Sequence, residues 1–379
     1  MKKNRAFFFK RTAVFSALML GVIAGVEAGG YSNVYIFGDS LSDNGAYAPL
    51  VGPNARFTTN PGTVWTDNLG ANYGKRVTTA YAAWQTGGTS TAGGFSPIDS
   101  GNNFAVGGAR VSLQPGNMMT FPNLMPSLPS VRVQINDYLA RGPLDTNALY
   151  AVMGGSNDIF VQANSVATGS LTPAGAIAAV VAAGNDFVAQ VTRLQAAGAR
   201  HLIAIGLPDI GLTPEGQSLP QANREFLSSL TTTYDATQAA GLAGKNLLYF
   251  DGNKLFAAIY ANPLAYGFTN TNTPACSAGA LACVAAADGH MFADPVHWST
   301  SLHKVVSDWI YSSLEGASRV GLMSQVPLGR SGAQWRSIDG RLSEFQNFGY
   351  KGQGFFVTGD YASSQKEAYA GMPSVDGSG

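Results

Sequence analysis

The sequence predicts an α/β domain with a central parallel sheet and helices on both of its faces. Three observations lead to this fold class: short apolar runs of strand length recur, polar turn residues follow each run, and segments with helical spacing lie between the runs. Continuous apolar runs are typical of strands that are buried on both faces of a parallel sheet. Alternation of strands and helices is typical of α/β domains.

Four segments have the strand pattern, and turn-forming residues follow each of them. Because ligands gather outside the carboxyl ends of the strands in an open parallel sheet, polar residues that follow these strands are expected to lie close together. The four predicted strands are Val34–Phe37, Ala148–Met153, His201–Gly206 and Asn246–Phe250.

Helical spacing predicts three helices. The first follows Thr172-Pro173, a capping residue with proline at the first helical position, and runs to Gly198. The other two cover residues 220–243 and 300–314. The span 85–130 is rich in Gly, Ser, Thr and Pro and is expected to form long loops over the edge of the sheet.

Composition indicates a sizeable core and gives no sign of a nucleic-acid partner. Of the 379 residues, 45% are hydrophobic and 12% are charged, against roughly 25% charged residues in average domains. Lys and Arg balance Asp and Glu at 23 each, and no basic stripe stands out. We therefore do not expect nucleic acid as a partner. The protein is expected to be a monomer.

The N-terminal segment predicts export from the cell. A basic start is followed by the mostly apolar run Thr12–Gly25 and by Val26-Glu27-Ala28, a small-x-small cleavage signal. This order is typical of a secretory signal peptide, here residues 1–28. The apolar run is short for a membrane span, and no later segment is expected to be long and apolar enough for one. The expected location is the cell surface, the outer membrane or the extracellular space.

The two cysteines are expected to form one local disulfide. Cys276 and Cys283 lie seven residues apart in a loop of small residues, and an exported protein meets an oxidising compartment. A zinc site is a poor alternative, because it needs four ligands and nothing near the two cysteines supplies the others.

Three separate segments bring polar side chains to the expected sheet edge. Ser40 follows the first strand, Asn157 follows the second, and Asp294 and His297 precede the last helix. Taken singly, Ser40 is more typical of a helix cap and Asn157 of a turn. Together they favour nucleophilic catalysis, since a serine needs a base to take its proton and that base must be oriented by a third group.

The same residues resemble the four motif blocks of the SGNH hydrolases, a family of serine hydrolases. Gly38-Asp39-Ser40-Leu41 resembles the GDSL block, "NNFAVGGAR" at 102–110 the second, "GSND" at 155–158 the third and "DPVH" at 294–297 the fourth. The resemblance covers residues 32–315. No G-x-S-x-G pentapeptide occurs, which argues against the separate α/β-hydrolase family.

This resemblance implies a role for each residue. Ser40 would be the nucleophile, His297 the base and Asp294 the acid that orients it. The oxyanion hole would consist of the N–H groups of Ser40 and Gly108 and the Asn157 amide, with Gly107 as the alternative to Gly108. No metal and no organic cofactor is implied. The implied fold is flavodoxin-like, a three-layer αβα sandwich, with a C-terminal helix and a partial β segment added.

Longer segments, among them "ALYAVMGGSNDIF" and "NPLAYGFTNTNTPAC", are similar to the GDSL esterases and lipases of bacterial autotransporters. The implied substrates are short- to medium-chain acyl esters or lipids, hydrolysed through an acyl-enzyme on Ser40. A phospholipase, a carbohydrate deacetylase and a non-catalytic surface adhesin stay open as alternatives. Six aromatic residues are candidates for an apolar acyl site or, equally, for the core: Phe57, Trp65, Phe95, Phe104, Phe121 and Trp298.

The chain is expected to divide into a signal peptide, a hydrolase domain at 29–316 and a tail at 317–379. Trp335, Ile338, Leu342 and Phe345 recur at helical spacing, and residues 352–363 have the content of an outer-membrane strand. This order resembles an autotransporter linker that enters the first strand of its barrel. A closed barrel needs at least about eight strands, which the tail is too short to supply. This chain is therefore expected to be a truncated form, or the product of a truncated gene, of a longer surface-displayed esterase.

Overall fold

A computed structural model describes residues 30–86, 92–117, 120–287 and 289–316, together with two short strands further on. Residues 30–316 form one compact unit. The two short strands, Ser363–Lys366 and Val375–Ser378, pair antiparallel with each other. The expected signal peptide at 1–28 and the expected helix around Trp335 lie outside the described residues, as does the expected strand at 352–363 except for its last residue.

The compact unit is built on a four-stranded parallel sheet in the order β1-β4-β5-β6. All five residues of β4, in the middle of the sheet, are buried. A separate antiparallel hairpin is formed by β2 and β3. The strands are β1 (Val34–Gly38), β2 (Tyr81–Thr86), β3 (Ala92–Pro97), β4 (Leu149–Met153), β5 (His201–Ile205) and β6 (Leu248–Phe250).

Helices flank the sheet, so the α/β fold expected from the sequence is confirmed. The helices that have at least eight residues and precede the last helix are α1 (Trp65–Asn72), α2 (Val131–Ala140), α3 (Ser156–Ala167), α4 (Pro173–Ala196), α5 (Gln221–Leu242) and α6 (Gly252–Ala261). The last helix, α7, includes residues 300–316. It contacts α1, since Trp65 N–H donates to His303 Nδ1 at 3.2 Å and the rings of Tyr73 and Tyr311 lie 5.2 Å apart.

The long helix α4 has the cap that the sequence predicts, since the Thr172 side chain accepts from Gly175 N–H at 3.2 Å. The expectation that no segment after residue 28 is long and apolar enough to span a membrane is wrong for α4, which is long and apolar enough by length and composition. This helix packs against α3 and α5 within the compact unit. Eight of its 24 residues are buried there.

The span 85–130 contains more structure than the loops expected from its composition. It holds the end of β2, all of β3 and a short 3₁₀ segment, Pro122–Ser127. The hairpin packs closely against the 3₁₀ segment, since a Cβ at Gly93 would lie 2.4 Å from Leu124. Small residues therefore reflect close packing here, where the sequence suggested turns.

Within the same span, residues 102–106 run alongside β1 on the side away from β4. Ile36 N–H donates to Asn102 O at 3.0 Å, and Phe104 N–H donates to Ile36 O at 2.8 Å. These hydrogen bonds are those of a parallel ladder. Because the pairing continues along β1, Gly107 and Gly108 lie beside the end of this strand.

Candidate active site

Ser40 lies in a tight turn directly after β1. Both Ser42 N–H and Asp43 N–H donate to Asp39 O at 3.0 Å, which folds the chain back immediately after the strand. The strand end is fixed by the buried Gln134 of α2, whose amide accepts from Gly38 N–H and donates to Gly38 O, both at 2.8 Å. The nucleophile candidate is therefore held on a rigid support.

The structure brings Ser40, His297 and Asp294 into one hydrogen-bonded chain. His297 Nε2 lies 3.0 Å from Ser40 Oγ, and His297 Nδ1 lies 2.7 Å from Asp294 Oδ2. The Phe57 ring packs against the imidazole with the ring centroids 5.0 Å apart. This geometry is the one that a serine nucleophile, its base and an orienting acid require.

The Asp294 carboxylate is held by four donors. Oδ1 accepts from the N–H groups of Val296 and His297 at 2.9 and 2.7 Å. Oδ2 accepts from His297 Nδ1 and also from Ala280 N–H at 2.7 Å. Ala280 lies in the loop that the disulfide between Cys276 and Cys283 closes. The disulfide loop therefore supports the Asp294 carboxylate.

The electrostatics of the pair favour a charged form of both groups. Burial lowers the pKa of His297, but the Asp294 carboxylate, with help from Asp39 and Glu215, raises it above its usual value of 6.5. Burial raises the pKa of Asp294, but the charge and hydrogen bonds of His297 lower it below 3.8. Burial raises the pKa of Asp39, beside the nucleophile, to about 7.

Two of the residues predicted for the oxyanion hole, Gly108 and Asn157, line the same cleft as Ser40. Gly108 has a φ of +82°, which suits glycine better than other residues. Gly107 N–H donates to Asp43 Oδ2 at 2.8 Å and is therefore occupied. Asn157, in the first turn of α3, also lines the cleft.

The amide of Asn157 is oriented by its neighbours. Its Nδ2 donates to Ala109 O at 3.0 Å, and its Oδ1 accepts from Asn117 Nδ2 at 3.3 Å. An amide nitrogen has two hydrogens, so one stays available for a ligand in the cleft. Next to it, the buried carboxylate of Asp158 accepts from Arg110 Nε at 3.0 Å and ties α3 to the loop of Gly108.

The N-terminus of α3 depends on Gly155. Its φ is +117°, and a Cβ there would lie 2.2 Å from the hydroxyl of Tyr234. That hydroxyl donates to Gly154 O at 2.7 Å. A side chain at position 155 would therefore clash with Tyr234 directly before the helix begins.

The cleft has a volume of about 670 Å³ and is lined by Ser40, Gly108, Asn157, Asp294 and His297 together. Of the six aromatic candidates for an acyl site, Phe57 and Trp298 line it, whereas Trp65 and Phe104 are fully buried in the core. Phe95 and Phe121 pack against Tyr47. Apolar walls also come from Leu41, Phe160, Val161, Ile210, Leu281 and Val296.

Sequence reasoning missed the supporting residues. Gln134, Asn117 and Ala280 act through backbone or amide groups, and no motif marks them. Glu215 also lines the cleft, and it was missed because no motif marks it.

Across the described ranges, no group of three or more His, Cys, Asp or Glu residues is arranged to hold a metal ion.

Comparison with known proteins identifies a family for most of the compact unit. The family model described as GDSL-like lipase/acylhydrolase matches residues 34–310. Esterase EstA of Pseudomonas aeruginosa is 28% identical to this chain, over 79% of the chain and 49% of EstA. Lipase 1 of Photorhabdus luminescens is 24% identical over 94% of the chain and 61% of that lipase. The chain thus spans about half the length of EstA.

Two solved structures align with most of the chain. A phospholipase A1 from Streptomyces albidoflavus NA297 is 15% identical, with a TM-score of 0.40, over 76% of this chain and 98% of its own. The acetyl xylan esterase AlAXEase is 14% identical, with a TM-score of 0.39, over 74% of this chain and 98% of its own.

Proposed function

Because the chain belongs to the GDSL-like lipase/acylhydrolase family, we propose that it is a serine esterase that hydrolyses carboxylic esters through an acyl-enzyme on Ser40. The observation that carries this proposal is the chain of contacts from Ser40 through His297 to Asp294, at 3.0 and 2.7 Å. The match of the family model to residues 34–310 includes all three residues.

In the first half of the reaction, Ser40 Oγ attacks the ester carbonyl carbon while His297 Nε2 accepts its proton. The carbon–oxygen bond to the alcohol then breaks, and His297 returns the proton to the leaving alcohol. In the second half, His297 takes a proton from water, whose oxygen attacks the acyl carbon. The carboxylic acid leaves and Ser40 regains its proton.

The tetrahedral intermediates carry a negative oxygen, which the N–H groups of Ser40 and Gly108 and the Asn157 amide would stabilise. Loss of one such donor typically costs about 3–4 kcal/mol of transition-state stabilisation. Gly108 is preferred to Gly107 because the Gly107 N–H already donates to Asp43.

Short- to medium-chain acyl esters or lipids are the substrates that suit this cleft. Its walls include Phe57, Phe160, Val161 and Leu281, which would bury an acyl chain by the hydrophobic effect. A phospholipase or a carbohydrate deacetylase would need the same chemistry at Ser40.

We further propose that residues 1–28 are a signal peptide, that 29–316 are the hydrolase domain and that 317–379 contain a linker helix and the start of an autotransporter β-barrel. The leader pattern supports export, and so does a disulfide, since disulfides persist mainly in oxidising compartments. The autotransporter resemblance of the tail supports display at the cell surface.

Replacement of Ser40 tests the chemistry. We expect Ser40→Ala to lower kcat by roughly four orders of magnitude or more without loss of folding, and a fluorophosphonate to label Ser40 in the wild type. Ser229→Ala, at an exposed serine of α5, is the matched control. A panel of p-nitrophenyl esters, a phospholipid and an acetylated sugar would identify the substrate class. Full activity in a folded Ser40→Ala protein would refute the proposal.

A further inference from the structure

Glu215 is an acidic residue of the cleft that the proposed mechanism does not use. It lies in the short helical segment Pro214–Ser218, where the Thr213 hydroxyl accepts from Gly216 N–H at 3.2 Å. Glu215 N–H donates to Pro295 O at 2.9 Å, which joins this segment to the loop of Asp294 and His297. The position of Glu215 is therefore fixed relative to the catalytic set, while its side chain is exposed.

The ionisable groups of the cleft make it negative. Its titratable lining residues are Glu215, Asp294 and His297, and no Lys or Arg side chain lines it within the described parts of the chain. Arg110, which lies on the adjacent loop, is buried in its ion pair with Asp158. The Asp294 carboxylate is surrounded by four donors, whereas the Glu215 carboxylate accepts no hydrogen bond from any described residue.

Glu215 lies within electrostatic range of the reacting groups. Partial burial raises the pKa of Glu215, the charge of Asp294 raises it further and His297 lowers it. In turn, Glu215 acts with Asp294 and Asp39 to raise the pKa of His297. A charge that acts on the imidazole also acts on a substrate that is bound beside it.

We propose that Glu215 determines the charge of the esters that this cleft accepts: neutral and cationic esters are hydrolysed, and esters with an anionic group near the scissile bond are disfavoured. This inference rests on the proposed esterase function. An anionic substrate would meet a like charge at Glu215, and no described Lys or Arg lines the cleft to offset it. Like charges at close range cost binding. Because Glu215 is exposed, the effect is moderate, roughly three- to tenfold in kcat/KM, and salt weakens it.

Three butyrate esters of one size test this proposal on the full chain: their alcohols end in a tert-butyl group, a trimethylammonium group or a sulfonate. In the wild type we expect kcat/KM to be lowest for the sulfonate ester, and the difference to shrink when NaCl is raised from 20 mM to 500 mM. Glu215→Gln should raise the sulfonate-to-neutral ratio by roughly three- to tenfold, and Glu215→Lys should raise it further. Glu225→Gln, which removes an exposed charge of α5 away from the cleft, should leave the ratio unchanged.

A second measurement separates this role from a structural one. Removal of the Glu215 charge leaves Asp294 and Asp39 as the acids that raise the pKa of His297, so the acid limb of kcat/KM for the neutral ester should move to lower pH in Glu215→Gln. An unchanged ratio and an unchanged acid limb, with hydrolysis of the neutral ester intact, would overturn the Glu215 proposal alone. Absence of hydrolysis of the neutral ester would overturn the proposed function and this inference together.

Discussion

At the residue scale, the protonation of His297 sets the pH range in which the site works. The base must be neutral to accept the Ser40 proton, and its pKa lies above 6.5 because Asp294 outweighs the effect of burial. Activity should therefore be low in acid and rise through a midpoint above pH 6.5. The pH profile of kcat/KM for a neutral ester measures this midpoint directly.

Replacement of Asp294 by asparagine tests the origin of that midpoint. All four groups that bond to the carboxylate are donors, so an amide must place its own N–H groups against two of them. We expect Asp294→Asn to lower kcat roughly 10³- to 10⁴-fold and to move the acid limb to lower pH, since burial then acts on His297 without the carboxylate. Asp308→Asn, at a half-exposed residue of α7, is the control. An acid limb that stays in place would show that another group sets it.

Sequence motifs predicted the residues that would carry the chemistry but not those that hold them. Ser40, Asn157 and His297 were predicted because motif blocks mark them and because they follow strands or precede a helix. Gln134 holds Gly38 from 96 positions away, and Ala280 contributes only its N–H to Asp294. A residue that acts through its backbone can have almost any side chain, so its residue type does not reveal this role in the sequence.

At the element scale, the disulfide loop links redox state to the site. Besides Ala280 N–H on Asp294, the loop accepts bonds from Asn60, whose Nδ2 and N–H donate to Ala280 O and Cys283 O at 2.8 Å. We expect the double variant Cys276→Ser/Cys283→Ser to lose about 2–3 kcal/mol of unfolding free energy, as expected for a short closed loop. Its kcat should fall moderately, because Asp294 loses part of its support.

Thermal unfolding and ester hydrolysis, each with and without dithiothreitol, measure this effect. The reductant should lower the Tm and kcat of the wild type and leave the double variant unchanged. If reduced wild type keeps its Tm and its kcat, the loop does not support the site. Mass analysis of unreduced peptides should show Cys276 and Cys283 joined.

The strands of the sheet and the helices α4, α5 and α7 were predictable from their apolar patterns, whereas α1, α2, α3 and α6 were not predicted. The four strands of the sheet were all found because they are continuous apolar runs. The hairpin of β2 and β3 was not, since its small residues give no alternation of apolar and polar side chains and its pairing depends on neighbours distant in sequence. Propensity is a weak guide where tertiary contacts decide the structure.

At the scale of the whole molecule, early and late segments of the compact unit are joined. Thr58 Oγ1 donates to Trp298 O at 3.0 Å, and Tyr73 donates to Glu315 Oε1 at 3.0 Å. Near its end, α7 buries Ile310 completely and packs Trp309 against Phe250 at 5.0 Å. The helix is therefore part of the core up to its last described turn.

Two shortened chains test how much of the protein the chemistry needs. A chain that ends at residue 316 should keep ester hydrolysis within about threefold, because it retains every residue of the cleft and of α7. A chain that ends at residue 305 should unfold or lose several kcal/mol, since loss of buried apolar side chains such as Ile310 typically costs about 2–5 kcal/mol each. Loss of activity in the first chain, folded and soluble, would show that the tail contributes to catalysis.

Tyr31, Tyr73 and Glu315 lie close together, so the compact unit should tolerate circular permutation. The rings of Tyr31 and Tyr73 lie 4.8 Å apart, and Tyr73 bonds to Glu315, so both ends of the compact unit meet at one place. A short glycine–serine linker should therefore join them, and new termini can be opened at the exposed turn of Gly244. In such a circular permutant the base would precede the nucleophile along the chain, and retained hydrolysis would show that the site needs spatial proximity and not this sequence order.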